Sequence, residues 1–205
     1  MIGIVDYGLG NIKAFGSIYN KLDIPFKFVK NVSDFDCVTK LILPGVGSFD
    51  HAMNMLNKSG LREGLDDLVL NQSVPVIGIC VGMQMMADTS EEGELPGLGW
   101  IPGHIKKMSV KNTALPLPHM GWNDVLISDS NPLFKGLNNK PRFYFLHSYH
   151  FEEKVKADVI GQADYGGIFS SIINRSNIYG IQCHPEKSHA SGIKILSNFA
   201  ELVSC

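Results

Sequence analysis

Three short apolar runs that each end in glycine constrain the fold of this chain more than any other feature. They span Ile2–Gly8, Thr39–Gly47 and Val74–Gly82. The segments between them, Asn11–Leu22 and Phe49–Leu70, carry apolar residues at helical spacing. Because such runs alternate with helices in β-α units, the sequence predicts an α/β fold with a mostly parallel central sheet flanked by helices. Ligands of such sheets bind beyond the carboxyl ends of the strands, where the three glycine-rich ends fall.

The second half of the chain has a different pattern. Shorter strands separated by turns are predicted in GWIPGHIKKMSV, HMGWNDVLI, RFYFLHSYHF and SSIINRSNIYGIQCHPE. We expect them to add antiparallel strands to the same core sheet. A closing helix is predicted over Ser191–Val203, with apolar residues at Ile193, Leu196, Phe199, Leu202 and Val203. Since no long linker or internal repeat occurs, residues 1–205 are predicted to form a single domain.

Composition and charge exclude several classes of function. The net charge of −2 predicts no nucleic-acid partner and no anionic membrane. No apolar run approaches the roughly 20 residues of a membrane span, and the first residues lack the features of an export signal. No C-x-x-C pair occurs, so a zinc site is not expected. A reduced, cytoplasmic setting is predicted, in which each of four cysteines is by default a small buried hydrophobe: Cys37, Cys80, Cys183 and Cys205.

One cysteine departs from that default because of its neighbours. Cys80 lies in G-I-C-V-G, between Gly78 and Gly82, where an apolar run meets a helical pattern. This is the form of a nucleophile elbow with cysteine in the serine position. The following helix and a nearby imidazolium would favour the thiolate, and the backbone N–H of Val81 would face an oxyanion. The alternative is a glycine-rich strand–helix turn around a buried thiol.

A nucleophilic cysteine needs a base and a group that orients the base. In GIQCHPEKS an apolar strand ends in His184, followed by Pro185 and Glu186. Pro185 keeps His184 extended, so the imidazole and the Glu186 carboxylate can project to the same side. A carboxylate there would hold one tautomer of the imidazole and stabilise its charged form. Cys80, His184 and Glu186 are therefore a candidate catalytic triad.

A third glycine-rich strand end, LPGVGSFD, supplies candidate oxyanion donors. Gly45 and Gly47 would let the backbone N–H groups around Val46 turn toward a ligand. By itself this segment is more typical of an ordinary turn before a helix capped by Ser48. The chemistry of a thiol nucleophile requires neither a metal nor another cofactor, and no set of metal ligands stands out in the sequence.

The motifs P-G-V-G, G-I-C-V-G-M-Q and H-P-E follow one another in the order found in class I (triad) glutamine amidotransferases, and the chain resembles that family. The resemblance implies that Cys80 attacks the side-chain amide of glutamine. His184 would protonate the leaving ammonia and then activate water, while Glu186 orients His184. Gln84 and the Gly45–Gly47 loop would contact the glutamine. Its amino-acid end would be held through backbone groups of Ser148, Tyr149 and His150.

Within that class, the chain is most similar to the glutaminase subunits of imidazole glycerol phosphate synthase, in histidine biosynthesis. The similarity runs end to end, and P-H-M-G-W-N (residues 118–123) is its most specific element. In those subunits the motif contacts a (β/α)8-barrel cyclase subunit, which receives ammonia through an internal channel. The resemblance therefore implies a heterodimer with a partner surface at Met120, Trp122, Asn123, Tyr144 and Lys187. Without it, Trp122 and Tyr144 would be interpreted as packing residues.

Three alternative interpretations stay open. A paralogous subunit would supply ammonia for amidation of surface-polysaccharide sugars, and the unusual Trp100 points to such a branch. A stand-alone cysteine hydrolase would need only the elbow, and a non-enzymatic scaffold would carry a degenerate site. A further departure from the family pattern, Cys183, stands where an aromatic residue usually precedes the histidine. It should face away from His184 as a packing change, because side chains alternate along a strand.

Overall fold

The structure, a computed structural model, describes residues 1–110, 113–128 and 130–202. Within these residues, eleven strands form one mixed sheet and two more form a separate antiparallel pair. The strands in chain order are β1 (Ile2–Val5), β2 (Phe26–Val29), β3 (Lys40–Gly45), β4 (Val76–Cys80), β5 (Thr89–Ser90), β6 (Gly103–Lys107), β7 (His119–Asp124), β8 (Leu126–Ile127), β9 (Arg142–His147), β10 (Tyr149–Glu153), β11 (Val159–Asp164), β12 (Ile168–Arg175) and β13 (Ile178–Ile181).

The predicted α/β fold with a mostly parallel central sheet is confirmed. Its central strands lie in the order β2-β1-β3-β4-β13, and each neighbouring pair is parallel. Every residue of β1, β3, β4 and β13 is buried, as expected for strands with helices on both faces. Two of these strands end at residues that were proposed for the site. β3 ends at Gly45, and β4 ends at Cys80.

The second half adds antiparallel strands, but not all of them join the same sheet. β10, β11 and β12 extend the large sheet through antiparallel pairs. The expectation was wrong for HMGWND and RFYFLH, because β7 and β9 pair with each other apart from the large sheet. Strand partners that lie far apart in sequence are selected by tertiary packing rather than by local preference. Here, one face of the pair buries Phe143 and Phe145, and the other exposes Met120 and Trp122.

The described part of the chain contains five α-helices: α1 (Ile12–Lys21), α2 (Phe49–Ser59), α3 (Arg62–Asp66), α4 (Val81–Met85) and α5 (His189–Glu201). The helical segment predicted over Phe49–Leu70 is interrupted. α2 ends at Ser59 because Gly60 adopts a φ of +74°, the left-handed conformation that closes many helices. α3 and a π-helical turn over Asp67–Asn71 then complete the segment. One-turn 3₁₀ helices cover Val32–Phe35, Pro132–Phe134, Lys156–Asp158 and Pro185–Lys187.

The closing helix differs from its predicted range at both ends. It begins at His189 rather than Ser191, and it ends at Glu201. Leu196 and Phe199 are buried as expected, whereas Ile193 is exposed, because α5 turns its buried stripe toward the sheet and α1. Val203 lies outside the described residues. No described helix has the length and apolar character needed to span a bilayer.

Helices cover both faces of the sheet, and the carboxyl ends of the neighbouring strands β4 and β13 lie side by side at its edge. A side chain at Gly180 of β13 would meet Met83 of α4 at 2.7 Å, whereas the adjacent Tyr179 packs against Phe199 of α5. Because successive strand residues face opposite sides, α4 and α5 cover opposite faces. β4 and β13 run parallel as neighbours. The chain segments that follow these two strands therefore meet at one edge of the sheet.

Candidate active site

Cys80 lies at the junction of β4 and α4 and has a backbone conformation that cysteine rarely adopts. Its φ is +55° and its ψ is −113°, outside the regions favoured by L-amino acids. Such a conformation costs on the order of 1–3 kcal/mol and persists only where the surroundings enforce it. A residue held in this way at the end of a buried strand matches the nucleophile elbow expected from the sequence.

Backbone contacts between β3 and α4 provide that enforcement. A Cβ atom on Gly82 would lie 2.0 Å from the carbonyl oxygen of Leu43. A Cβ atom on Gly45 would lie 2.2 Å from the backbone nitrogen of Gly82. Only glycine at both positions allows the end of β3 and the start of α4 to approach this closely. Gly45, expected to contact a ligand, therefore packs beneath the elbow.

His184 follows β13 and stands next to the elbow. Its Nδ1 lies 3.0 Å from Oε1 of Glu186, and both side chains are almost fully buried. The loop is tied to β9, because the N–H of His184 donates to the carbonyl of Tyr144 at 2.8 Å. Ser188 Oγ donates to the carbonyl of His184 at 2.6 Å. With Nδ1 occupied by the carboxylate, Nε2 is the nitrogen left to serve the cleft that His184 lines together with Cys80.

The pKa of His184 indicates that the imidazole is held in its protonated form. Burial alone would lower this pKa, but hydrogen bonds to Cys80 and Glu186, together with their charges, raise it to about 10. Since the usual pKa of histidine is about 6.5, His184 is an imidazolium at neutral pH. An imidazolium at this place can act as a general acid.

The sulfur of Cys80 has a second polar neighbour that the sequence analysis did not identify. Nε2 of Gln182 lies 3.8 Å from Sγ, and Gln182 is fully buried. Gln84, expected to contact glutamine, is also buried, and its Nε2 donates to Oε1 of Gln182 at 3.0 Å. Spacing could have revealed Gln182, because residues 182 and 184 of an extended segment project to the same side.

A cleft of about 350 Å³ opens over these residues. Nine residues proposed from the sequence line it: Val46, Gly47, Cys80, Val81, Gln84, Ser148, Tyr149, His184 and Lys187. The third residue of the predicted backbone clamp, His150, lies outside the lining, with its Nδ1 3.2 Å from the carbonyl oxygen of Phe151. Because β10 alternates its side chains, His150 turns away from the cleft toward Phe169.

Glu92 adds a negative charge to the cleft lining. Its carboxylate accepts a hydrogen bond from the N–H of Phe49 at 2.8 Å, at the start of α2. Ser48, considered as the cap of this helix, makes no such side-chain bond. A carboxylate is stabilised at a helix N-terminus by the helix dipole. Glu92 could not be identified from the sequence, because its loop carries no motif and meets α2 only in the folded chain.

Two buried histidines beside the cleft form a hydrogen-bonded pair. Nδ1 of His119 lies 3.0 Å from Nε2 of His147, and Nδ1 of His147 lies 2.8 Å from the carbonyl oxygen of Tyr149. A carbonyl oxygen only accepts, so His147 carries its proton on Nδ1 and His119 must donate to it. Nε2 of His119 then accepts from the amide of Asn123 at 3.3 Å. Burial lowers the pKa of His119 to about 4 and that of His147 to about 3, so both are neutral near pH 7.

The free energy of unfolding is expected to fall as the pH drops from about 6.5 toward 4. In this range the unfolded chain protonates His119 and His147 near their usual pKa, whereas the folded chain keeps both neutral. The unfolded state therefore binds more protons, and stability declines by up to about 1.4 kcal/mol per histidine for each pH unit. Urea unfolding at a series of pH values measures this slope.

A matched pair of variants separates this effect from general acid sensitivity. His119→Gln removes one of the two neutral histidines and should make the slope shallower. His51→Gln makes the same change at an exposed histidine and should keep the slope of the unchanged protein. Equal slopes for all three proteins would show that the buried pair does not contribute to the pH dependence.

The outward side of the β7–β9 pair carries most of the residues predicted to meet a partner, and we call it the β7–β9 outer face. Met120 and Trp122 are 61% and 40% exposed, high values for large apolar side chains. Trp122 packs edge-on against Tyr144, with ring centres 6.1 Å apart. Nζ of Lys187 lies 5.6 Å from the centre of the Tyr144 ring. Exposed apolar clusters of this kind are typical of interaction sites.

Asn123, predicted to lie on the same surface, points to the opposite side of β7. Its amide nitrogen donates to the carbonyl of Asp164 at 2.9 Å and contacts His119. The reason is strand geometry, because Asn123 alternates with Trp122 and shares the inner face with His119. The side chain of Asn123 is therefore engaged within the chain.

The two residues that depart from the family pattern have packing roles. Cys183 is fully buried in the core, and burial raises its pKa well above the ordinary value. The indole of Trp100 is buried, and its Nε1 donates to Oδ1 of Asp66 at 2.7 Å. Neither residue lines the cleft. In the part of the chain that the structure describes, no three His, Cys, Asp or Glu side chains are grouped to hold a metal.

Comparison with known proteins identifies the family. The family model described as glutamine amidotransferase class-I matches residues 4–202. A crystal structure of a glutamine amidotransferase aligns with a TM-score of 0.76 at 17% identity, over 98% of this chain and 99% of that chain. A glutamine amidotransferase from Thermotoga maritima aligns with a TM-score of 0.62 at 16% identity, over 90% and 75%. These structural similarities establish the shared fold.

Sequence relatives are considerably more similar. The imidazole glycerol phosphate synthase subunit HisH of Leptospira borgpetersenii is 50% identical over 204 residues, 98% of this chain and 100% of its own length. The subunit of the same name from Bdellovibrio bacteriovorus is 52% identical over 206 residues, with the same coverage. Subunit HisH 2 of Pseudomonas aeruginosa is 41% identical over 203 residues, covering 99% and 100%. The chain therefore belongs to the class I glutamine amidotransferases and, within them, to the family of HisH subunits.

Proposed function

We propose that this chain is the glutaminase subunit of an imidazole glycerol phosphate synthase and supplies ammonia to a (β/α)8-barrel cyclase subunit in histidine biosynthesis. The observation that carries the proposal is the strained Cys80 elbow, which lines the same cleft as His184, whose imidazole is held by the buried Glu186. The cleft above Cys80, at about 350 Å³, is of a size that suits a small amino-acid substrate. The relatives named HisH support the choice of pathway.

The first half of the reaction transfers the glutamine acyl group to sulfur. The Cys80 thiolate attacks the side-chain amide carbon, and a carbon–sulfur bond forms. The backbone N–H of Val81, at the first position of α4, has no acceptor within the helix and donates to the developing oxyanion. The His184 imidazolium then gives its proton to the amide nitrogen as the carbon–nitrogen bond breaks. Ammonia leaves, and a thioester and a neutral His184 remain.

The second half of the reaction restores the enzyme. Neutral His184 takes a proton from a water molecule, whose oxygen attacks the thioester carbon. The carbon–sulfur bond breaks and its electron pair returns to Cys80, which is again a thiolate beside an imidazolium. Glutamate leaves after its new carboxyl group ionises. Glu186 keeps Nδ1 of His184 protonated throughout, so that Nε2 is always the nitrogen that exchanges the proton.

The charges of the cleft suit the two ends of a glutamine molecule. We assign the α-ammonium group to Glu92, whose carboxylate lines the cleft. Gln84 turns its amide nitrogen into the protein, toward Gln182 and Tyr149, so its carbonyl oxygen is the atom that would meet the same ammonium group. The α-carboxylate is assigned to backbone N–H groups of the stretch Ser148–Tyr149, which also lines the cleft.

Replacement of Glu92 with glutamine is expected to raise the KM for glutamine about 10-fold to 100-fold. The substitution removes a charged hydrogen bond to the substrate, which is worth about 1.5–3 kcal/mol. The kcat should change much less, because the α-ammonium group keeps its charge throughout the reaction. Steady-state glutamate production measures both constants. Glu94→Gln, the same change at an exposed glutamate two residues away, should leave KM unchanged, and an unchanged KM in Glu92→Gln would refute the assignment.

The β7–β9 outer face is the surface proposed to receive the cyclase subunit. Its exposed Met120 and Trp122 supply apolar area, and aromatic residues of this kind dominate binding energy at protein interfaces. Lys187 connects this face with the cleft, because its Nζ lies over the Tyr144 ring and the residue also lines the cleft. Lys187 therefore belongs both to the proposed partner surface and to the cleft in which ammonia would be released.

Reconstitution with the partner tests the proposal. The purified chain is mixed with the histidine-pathway barrel cyclase of the same organism, glutamine and the ribulosyl aminoimidazole precursor. Glutamine-dependent imidazole glycerol phosphate is the expected product. Glutamate release without this product, and only with a different barrel protein, would instead indicate the surface-sugar branch. Cleavage of peptides or esters without any partner would indicate a stand-alone cysteine hydrolase.

A further inference from the structure

Gln182 is the one buried amide in contact with the sulfur of Cys80 among the described residues. Its Nε2 lies 3.8 Å from Sγ, within range for a hydrogen bond to sulfur. It occupies the first position after β13, two residues before His184. Both residues belong to the segment that follows β13. Full burial removes water as a competing partner for this amide.

A single carbonyl group determines which atom of Gln182 faces the sulfur. The carbonyl oxygen of Tyr149 can only accept, so the amide group that Gln84 turns toward it must be the NH₂ group. The same NH₂ group of Gln84 contacts Gln182 at 3.0 Å, so the atom it meets is the oxygen. The NH₂ group of Gln182 is left to face Sγ. The carbonyl of Tyr149 thus sets the orientation of both side-chain amides, Gln84 and Gln182, and the sulfur receives an N–H donor.

We propose that Gln182 is a catalytic residue that donates an N–H to the sulfur of Cys80, and that Gln84 is a positioning residue that fixes the direction of the Gln182 amide. This deepens the proposed function, since it concerns the same nucleophile. The amide of Gln182 supplies the sulfur with an uncharged N–H donor at 3.8 Å, in the same cleft region as the charged His184. Hydrogen bonds to charged groups are stronger than those between neutral groups, so the donor stabilises the thiolate more than the thiol.

The donor acts at the step in which charge returns to sulfur. When water has added to the thioester, the carbon–sulfur bond breaks and its electron pair moves to Sγ. The Gln182 N–H meets that charge without any bond to Gln182 being made or broken. Because Gln182 approaches the sulfur rather than the substrate, it should influence kcat and leave the KM for glutamine nearly unchanged.

The test replaces Gln182 with glutamate, which has nearly the same shape. One carboxylate oxygen can still accept from Gln84, but the other presents a negative charge to the sulfur in place of a donor. The rate of Cys80 alkylation by iodoacetamide is followed against pH, with the Cys80 peptide quantified by mass spectrometry to exclude the exposed Cys37. We expect the rate at pH 7 to fall about 10-fold or more, and the pH of half-maximal rate to rise by about one unit or more.

Two further proteins serve as controls for this measurement. Gln162→Glu places the same change on the exposed side of β11 and should keep the original pH profile. Gln182→Leu removes the donor without adding charge and should raise the pH of half-maximal rate by a smaller amount. Identical pH profiles for Gln182→Glu, Gln182→Leu and the unchanged protein would overturn the proposal.

The role of Gln84 is tested with a double-mutant cycle on the same alkylation profile. Gln84→Leu alone should shift the profile in the same direction as Gln182→Leu. Added to Gln182→Leu, it should cause no further shift, because its effect passes through Gln182. Equal and additive shifts would overturn the positioning role of Gln84.

Alkylation needs neither glutamine nor a partner, so its result is independent of the proposed function. Absence of glutaminase activity in the reconstituted, unchanged protein would refute the proposed function, while the alkylation profiles would still decide whether Gln182 serves the thiolate. In an active protein, Gln182→Glu should lower kcat about 10-fold with KM within about 2-fold. A raised KM with unchanged kcat would assign Gln182 to substrate binding and contradict the inference.

Discussion

Replacement of Cys80 with alanine is expected to lower the kcat for glutamine hydrolysis by a factor on the order of 10⁶. Alanine supplies no nucleophile, and the remaining cleft can only bind glutamine. Backbone strain should not change, because alanine and cysteine are equally disfavoured at a φ of +55°. The variant should therefore fold, bind the barrel cyclase subunit and support synthesis from added ammonium salts at the original rate. Coupled assays with glutamine and with ammonium measure the two activities separately.

Cys37→Ala is the matched control for this experiment. Cys37 also has a positive φ of 63°, but it is exposed and does not line the cleft. It should retain both activities. Loss of the ammonium-fed activity in Cys80→Ala, with the complex intact, would argue against the role of this chain as an ammonia donor. Retained glutamine-dependent activity would argue against Cys80 as the nucleophile.

Glu186→Gln is expected to lower kcat by about 10⁴ while leaving the shape of the site intact. The corresponding loss of charge in other catalytic triads has an effect of this size, because the base is held in the wrong tautomer. The hydrogen bond and charge of Glu186 help to raise the pKa of His184, so this pKa should fall in the variant. Less of His184 would then be an imidazolium at neutral pH, and less of it could protonate the leaving group in the proposed reaction.

The same variant has a thermodynamic readout that activity alone does not give. A raised folded-state pKa stabilises the folded chain fully below the unfolded-state pKa of about 6.5, and this stability is lost as the pH rises toward about 10. Urea unfolding between pH 6.5 and 10 should therefore show a shallower decline for Glu186→Gln than for the unchanged protein. Glu63→Gln, at an exposed position in α3, should match the unchanged protein in kcat and in slope. A kcat within 10-fold of normal in Glu186→Gln would remove Glu186 from the proposed triad.

The fold was predictable from the sequence to a large extent because its signals are local. Apolar runs ending at Gly45 and Cys80 mark parallel strands, and both strands are present. Gly60 inside a helical pattern marks the end of α2. This signal is local, but the helical segment predicted over Phe49–Leu70 did not take it into account. The separate β7–β9 pair was not predictable in this way. Its existence depends on which distant strand covers Phe143 and Phe145, and no pattern within either strand records that choice.

In the candidate site, too, residues marked by local motifs were predictable, and residues placed by tertiary contacts were not. Cys80, His184 and Glu186 were proposed from motifs; the structure pairs His184 with Glu186 and places Cys80 and His184 in the lining of one cleft, although their chemical roles stay predictions. Gln182 and Glu92 were missed for different reasons. Gln182 sits beside His184 in the chain, but its partner Gln84 is 98 residues away. Glu92 enters the cleft only because its loop folds back onto the start of α2.

The carbonyl of Tyr149 has a consequence for how protons can reach Cys80. Two hydrogen-bond chains converge on it, one from Asn123 through His119 and His147, the other from Gln84. The pair of His119 and His147, between an outer strand and the cleft, has the arrangement of a proton relay. A relay, however, requires each member to accept a proton on one side and release one on the other, and a peptide oxygen has none to release. The chain from Asn123 through the two histidines therefore ends at this atom and cannot deliver protons to His184 in the proposed reaction.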